Sequence, residues 1–257
     1  MADETVLITG ASSGIGVELA KCFAASGANL ILLARRADKL EAVAKQLRQD
    51  YGTQVRTLVS DLSKAQSPNE IFDALRDDTM PVDVLVNNAG FGARGRFSEL
   101  DAGRQMDMLA VNISAPTHLA RLFLPGMLQR NRGGILNVAS TAAFQPGPWM
   151  TVYYATKAYL LSFSEALSEE VLESKVTITC LAPGPTLTEF GDVADMSSTK
   201  VFRHWLMDAE PVARAGYDGF RRGKALVGPG KLNRMGTMIV RMVTRAVSSK
   251  GAGRLQA

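Results

Sequence analysis

The chain has 257 residues, enough to bury a sizeable core and at the upper end for one α/β domain. Charged residues make up 21% and apolar residues 46%, as in an ordinary globular protein, and no apolar run reaches the roughly 18 residues of a membrane-spanning helix. Of the 29 basic residues, nine lie from Gly219 on, with none of the 25 acidic ones; the rest therefore carries 20 basic against 25 acidic residues, and the formal charge of +4 belongs to the tail rather than to a nucleic-acid-binding face.

Cys22 and Cys180 lie far apart, with no metal-ligand spacing and no evident disulfide partner. The first residues show no secretory leader pattern. The expectation is a reduced, cytoplasmic compartment and no metal. His118 and His204 are isolated and read as structural or surface residues.

The first predicted strand is 5–9, a β-rich run that feeds into Gly10-Ala-Ser-Ser-Gly14-Ile-Gly16 and then into a helical pattern. Strand, glycine turn and helix together give the motif its context. Gly10 permits the tight turn, Gly14 lets backbone approach a pyrophosphate, and Gly16 lets helix and strand pack closely. The helix N-terminus, with Ser12, Ser13 and Ile15 beside it, offers free N–H groups to that phosphate.

The second strand, 29–34, is nearly all apolar, as for a parallel strand covered on both faces. It ends in Arg35-Arg36, where a dinucleotide fold that reads ribose hydroxyls places an acid. Two arginines suit a 2′-phosphate instead, with Arg35 expected to matter most because it follows the strand directly. The plainer reading is a pair of solvated helix-start arginines. A helix to about 50 and a strand 54–59 follow, ending near Asp61-Leu62, a place to bind the adenine. Pro68 fits the first turn of a helix that runs to about 77.

The fourth strand, 82–86, leads into Asn87-Asn88-Ala89-Gly90, whose small residues allow close approach to a ligand. A long helix, about 101–129, holds Asn112 and Pro116. Proline has no N–H to give the Asn112 carbonyl. A break or bulge is therefore expected at 111–114, turning that carbonyl outward toward another partner, most simply water.

The fifth strand begins at Gly134 and ends at Ser140. From Thr151 the apolar spacing is helical, so Tyr153 and Lys157 share one face. A cation held close pulls a phenol's pKa down, which would equip Tyr153 to exchange a proton near neutrality. Ser140 could aim its hydroxyl at the same point and hold a carbonyl oxygen. Tyr154 is the local decoy. A sixth strand, 176–181, ends in Pro183-Gly184-Pro185-Thr186, with Thr188 just beyond. Segment 187–212 reads as an irregular substrate loop. With Phe91, Phe144, Trp149 and Met150 it would wall a lipophilic pocket; the alternative is packing in the core or a subunit interface. A last short strand, 225–227, precedes a basic amphipathic extension, 231–257. That extension is read as a helix packed on the domain or a subunit, or as a peripheral membrane anchor or substrate lid.

Seven strands alternating with helices imply a single doubly wound Rossmann-type α/β domain with a parallel sheet. The motifs fall at strand C-terminal ends, the edge where such sheets bind ligands. With these pieces in order, the chain resembles the short-chain dehydrogenase/reductase family over roughly 5–228. The resemblance rests on Thr9-Gly10-x-x-x-Gly14-x-Gly16, Asn87-Asn88-Ala89-Gly90, Asn112, Ser140, Tyr153-x-x-x-Lys157 and Pro183-Gly184. It implies that Tyr153 handles the proton, Lys157 lowers the tyrosine pKa and holds the nicotinamide ribose, Ser140 orients the substrate oxygen, and Asn112 supports a water-linked relay. It also implies a homodimer or homotetramer through the long helices near 101–130 and 151–174. The expected activity is NADP(H)-dependent interconversion of a small-molecule carbonyl and a secondary alcohol. The rival is an NADP(H)-binding regulator or sensor with little turnover.

Overall fold

The computed structural model describes residues 4–76, 81–196 and 206–230 together with Ala252. The basic extension 231–257, apart from Ala252, and residues 197–205 of the loop lie outside the described residues.

Seven parallel strands form one sheet: β1 (Thr5–Thr9), β2 (Asn29–Ala34), β3 (Val55–Val59), β4 (Val84–Asn87), β5 (Gly134–Val138), β6 (Thr177–Leu181) and β7 (Leu226–Val227). Their order is β3-β2-β1-β4-β5-β6-β7. The chain winds one way from β1 to β3, then crosses back to β4 beside β1. Helices α1 (Gly14–Ala25), α2 (Ala37–Tyr51), α3 (Ser67–Arg76), α4 (Ala102–Leu109), α5 (Ala115–Arg130), α6 (Thr151–Glu170), α7 (Phe190–Val193) and α8 (Ala209–Arg221) fill the connections.

The central strands β1, β4 and β5 are buried at every position and mostly apolar because both faces are covered. Neighbouring residues in β1 serve opposite faces. Val6 and Ile8 pack with Phe23 of α1, Leu40 of α2 and Phe220 of α8. Leu7 packs on the other side with Ile71 of α3, Phe123 of α5 and Leu167 of α6. Burial of about twenty apolar side chains on each face supplies the main drive to fold.

Segment 187–212 is not irregular throughout. α7 forms within it, Thr186 bridges to Met207, and α8 begins at Ala209. The sequence hides α8 because Pro211, Gly216 and Gly219 interrupt a helical pattern. Proline is acceptable in the first turn. The glycines make room: a Cβ on Gly219 would meet Val227 at 2.2 Å and one on Gly216 would meet Leu181 at 2.6 Å.

The expected bulge near Asn112 is present. The helix passes from α4 through a π-helical turn, Ala110–Ser114, into α5. The Ala115 N–H donates to Ala110 O, one residue farther back than in an α-helix.

Candidate active site

The switch in strand order between β1 and β4 opens a crevice at their C-terminal ends, and the glycine turn lies there. Thr9 ties it together. Its hydroxyl donates to Val86 O at 3.2 Å and accepts from Asn88 N and Ala89 N, both at 3.0 Å. The Asn88 amide donates back to Thr9 O at 2.9 Å and Gly10 O at 3.1 Å. Gly10 takes φ +65°, and a Cβ there would meet the Ala89 backbone at 2.8 Å. A Cβ on Gly16 would meet Gly10 O at 2.4 Å, so α1 can start this close to the turn only with glycine.

Ser13 caps α1 with extended backbone but makes no side-chain cap bond, leaving first-turn N–H groups free of that partner. Gly14 lies against Thr188, whose methyl a Cβ would meet at 2.8 Å. The loop after β6 therefore sits directly on the glycine turn. Pro183 and Gly184 are buried, and the Thr186 hydroxyl donates to Gly184 O at 2.9 Å. The fit for a dinucleotide is good: a side-chain-free cradle, uncapped helix N–H groups and threonine hydroxyls around one crevice.

At the adenosine side, Asp61 accepts from Ser63 N at 3.1 Å, and Leu62 is buried. Burial works against the Asp61 charge, but the Ser63 bonds and the nearby Arg35 and Lys64 leave its pKa lowered. The emphasis between the two arginines shifts. Arg35 is exposed and acts on Asp61, whereas Arg36 donates to Ser12 Oγ at 3.1 Å, Ser13 Oγ at 3.3 Å and Glu189 Oε2 at 2.7 Å. Arg35 follows the strand directly, but Arg36, extended at the head of α2, is the one that turns toward the glycine loop.

Farther along the sheet edge, α6 carries Tyr153 and Lys157. It is pinned by a buried thread of hydrogen bonds, Asn87 Nδ2 to Asn137 Oδ1 and Asn137 Nδ2 to Ser164 Oγ, each 2.9 Å. Asn112 is 1% exposed in the π turn. Its amide donates to Phe91 O and Thr156 Oγ1, both at 3.0 Å, and its Oδ1 accepts from Phe91 N at 3.1 Å. Thr156 in turn donates to Tyr153 O at 2.7 Å. The chain after β4 is thereby tied to the first turn of α6. Gly90 completes the contact, since a Cβ there would lie 3.2 Å from Asn112 Oδ1 and 3.3 Å from Lys157 Nζ.

Ser140 follows β5 and caps a short 3-10 turn, Thr141–Phe144, accepting from Ala142 N at 3.1 Å. Its hydroxyl donates to Pro183 O at 3.4 Å. Burial pushes the Tyr153 phenol above its ordinary range, and the neighbouring Ser140 side chain works against that rise. Burial lowers Lys157 to about 8. The Lys157 ammonium donates to Val138 O at 2.8 Å and lies 5.9 Å from the centre of the Tyr153 ring. In this geometry burial outweighs any lowering of the tyrosine pKa by Lys157.

The apolar residues divide. Phe91 and Met150 cluster with Tyr153, Met196 and Phe190, whose ring centre is 5.2 Å from that of Tyr153. Trp149 stands at φ +70°, with Arg96 5.7 Å from its ring centre. Phe144 packs elsewhere, with Ala139, Leu160, Leu161 and Cys180. Tyr154, the decoy, is buried against Gly147, where any Cβ would strike its ring. Sequence reasoning missed Arg104, which donates to Val193 O at 2.7 Å and lies 5.4 Å from the Phe91 ring centre, fastening α7 to α4. It also missed Glu189 and Lys39, paired at 2.6 Å. Neither signal is local: each joins segments far apart in the chain.

The family model for short chain dehydrogenases matches residues 4–197, and the chain belongs to that family. It is 33% identical over 199 residues to "Hydroxysteroid dehydrogenase-like protein 1" of Gallus gallus, covering 76% of this chain and 60% of that protein. It is 36% identical over 187 residues to "Uncharacterized oxidoreductase YvrD" of Bacillus subtilis (strain 168), covering 73% and 70%. Among solved structures, a short-chain dehydrogenase from Sphingobium yanoikuyae in complex with NADPH aligns with TM-score 0.83 and 31% identity over 95% of this chain and 97% of that one. A bulky-bulky ketone specific alcohol dehydrogenase from Comamonas testosteroni aligns with TM-score 0.79 and 29% identity over 96% and 97%.

Proposed function

We propose that the protein is an NADP(H)-dependent oxidoreductase interconverting a lipophilic ketone and its secondary alcohol. The observation that carries this reading is the convergence of Ser140, Tyr153 and Lys157 at one sheet edge, with Asn112 bracing them, beside a glycine cradle. Gly10, Gly14, Ile15 and Gly16 would take the pyrophosphate. Ser12, Ser13, Arg35 and Arg36 would take the 2′-phosphate, and Asp61 and Leu62 the adenine. Asn88, Ala89, Gly90, Lys157, Pro183, Gly184, Thr186 and Thr188 would line the remainder. Bound there, the reduced nicotinamide supplies the hydride. Tyr153 delivers the proton to the carbonyl oxygen, which Ser140 holds by a hydrogen bond. Lys157 places a positive charge beneath the phenol, and closure of the Phe91, Met150 and Phe190 cluster excludes water.

The apolar character of that cluster favours a lipophilic substrate. The bulky-ketone enzyme among the structural relatives agrees with this choice, and the NADPH complex agrees with the cofactor. A cytoplasmic setting accords with two buried, free cysteines. A homo-oligomer through α5 and α6 accords with Tyr159, which is 37% exposed, stacks on Phe163 and meets the Thr117 hydroxyl at 3.0 Å. The test is NADPH consumption against a panel of ketones of graded bulk and polarity. Turnover rising with apolar bulk supports the reading. Tight NADPH binding without turnover on any ketone would favour the regulator instead.

A further inference from the structure

The donors gathered for a 2′-phosphate already hold an anion, and that anion is the chain's own. The Glu189 carboxylate accepts from Arg36 at 2.7 Å and from Lys39 at 2.6 Å. Arg36 also reaches Ser12 and Ser13. Two cations on one carboxylate, with Ser13 nearby, hold its pKa down to about 2. These are the groups that a phosphate monoester would recruit.

We infer that Glu189 is a specificity-determining residue, a tethered carboxylate that competes with the cofactor's 2′-phosphate for Arg36 and Lys39. The inference rests on the NADP(H) reading above. The competitor is exchangeable: the Glu189 and Arg36 side chains each keep 42% of their surface exposed and Lys39 keeps 46%, so the pairs are weak and solvent-screened. A phosphate carrying close to two charges displaces one carboxylate from the same donors. A cofactor without that phosphate leaves Glu189 in place. Phe190, which packs on Tyr153, is the next residue in the chain. Occupation of the site by Glu189 lowers apparent affinity by the fraction of time the site is open, up to about fivefold for an exposed pair.

The test is direct binding by calorimetry, with adenosine 2′,5′-bisphosphate and AMP as probes, on the full chain and on Glu189→Gln. The two probes differ only in the 2′-phosphate. Removing the carboxylate's charge should tighten bisphosphate binding by up to about fivefold and leave AMP binding unchanged. Glu189→Ala, which also removes the carboxylate, should behave alike. Unchanged bisphosphate affinity overturns the proposal. Weakened affinity also overturns it, and marks Glu189 as a strap that holds bound cofactor. Should the unmutated protein bind both probes equally, the NADP(H) preference falls. Glu189→Gln gaining a bisphosphate preference would still support the competitor, and equal binding by both proteins overturns both ideas.

Discussion

Asn112→Ala tests how the crevice is held together. Its side chain makes three hydrogen bonds, to Phe91 O, from Phe91 N and to Thr156 Oγ1. Thr156 keeps its own bond to Tyr153 O, so it loses only an incoming donor. The two Phe91 backbone groups lose their partner outright. A buried group left unpaired costs about 1–3 kcal/mol. Phe91 is half-buried, so water recovers part of this, and the sum comes to about 2–3 kcal/mol. For a protein of this size each kcal/mol lowers Tm by about 2–4 °C, which gives a fall of about 4–12 °C. Thermal unfolding followed by circular dichroism reads it. A fall below about 2 °C would mean that Asn112 does not brace the strand end, and the account of how Tyr153 is positioned would fail with it.

Arg36→Ala should raise the KM for NADPH about tenfold, the size of one lost charged contact, and leave NADH nearly untouched. Arg35→Ala should do less, and the reverse ranking in steady-state kinetics would refute the assignment. Lys157 gives a pH prediction. Its pKa is about 8 folded and about 10.4 unfolded, so between those values the unfolded chain binds more protons and stability rises with pH. Relative to Lys157→Met, the unmutated protein should therefore gain on the order of 1–2 kcal/mol from about pH 7.5 to about pH 9.5 in urea unfolding. A flat difference would mean that the buried ammonium carries no penalty. The raised phenol of Tyr153 acts only above about pH 10 and is common to both proteins.

The sheet was legible because its inner strands are covered on both faces and so read as nearly unbroken apolar runs, as in β1, β2 and β4. Seven strands in one parallel sheet follow from that pattern and the alternation with helices, although β3, with Arg56 and Thr57, is less covered. The π turn was legible from one proline. α8 was not, because glycines demanded by close contact with Leu181 and Val227 look, in sequence, like breaks. Phe144 looked like a pocket wall because an aromatic near Ser140 carries no mark of which way it faces, and it packs against α6 instead. Glu189 was out of reach for another reason. It lies 153 residues from Arg36, and a lone acid in a loop gives no sign of its partners until the fold brings β2 and β6 to one edge.

The central claim is that Tyr153 moves the proton while the rest of the crevice binds. Tyr153→Phe removes the hydroxyl and keeps the ring that packs on Phe190. Turnover of a ketone with NADPH, measured beside NADPH affinity in the same preparation, separates the two roles. The account predicts a loss in turnover of about 100-fold or more, with affinity unchanged within about twofold, and little effect from Tyr154→Phe. Near-full turnover by Tyr153→Phe would contradict it.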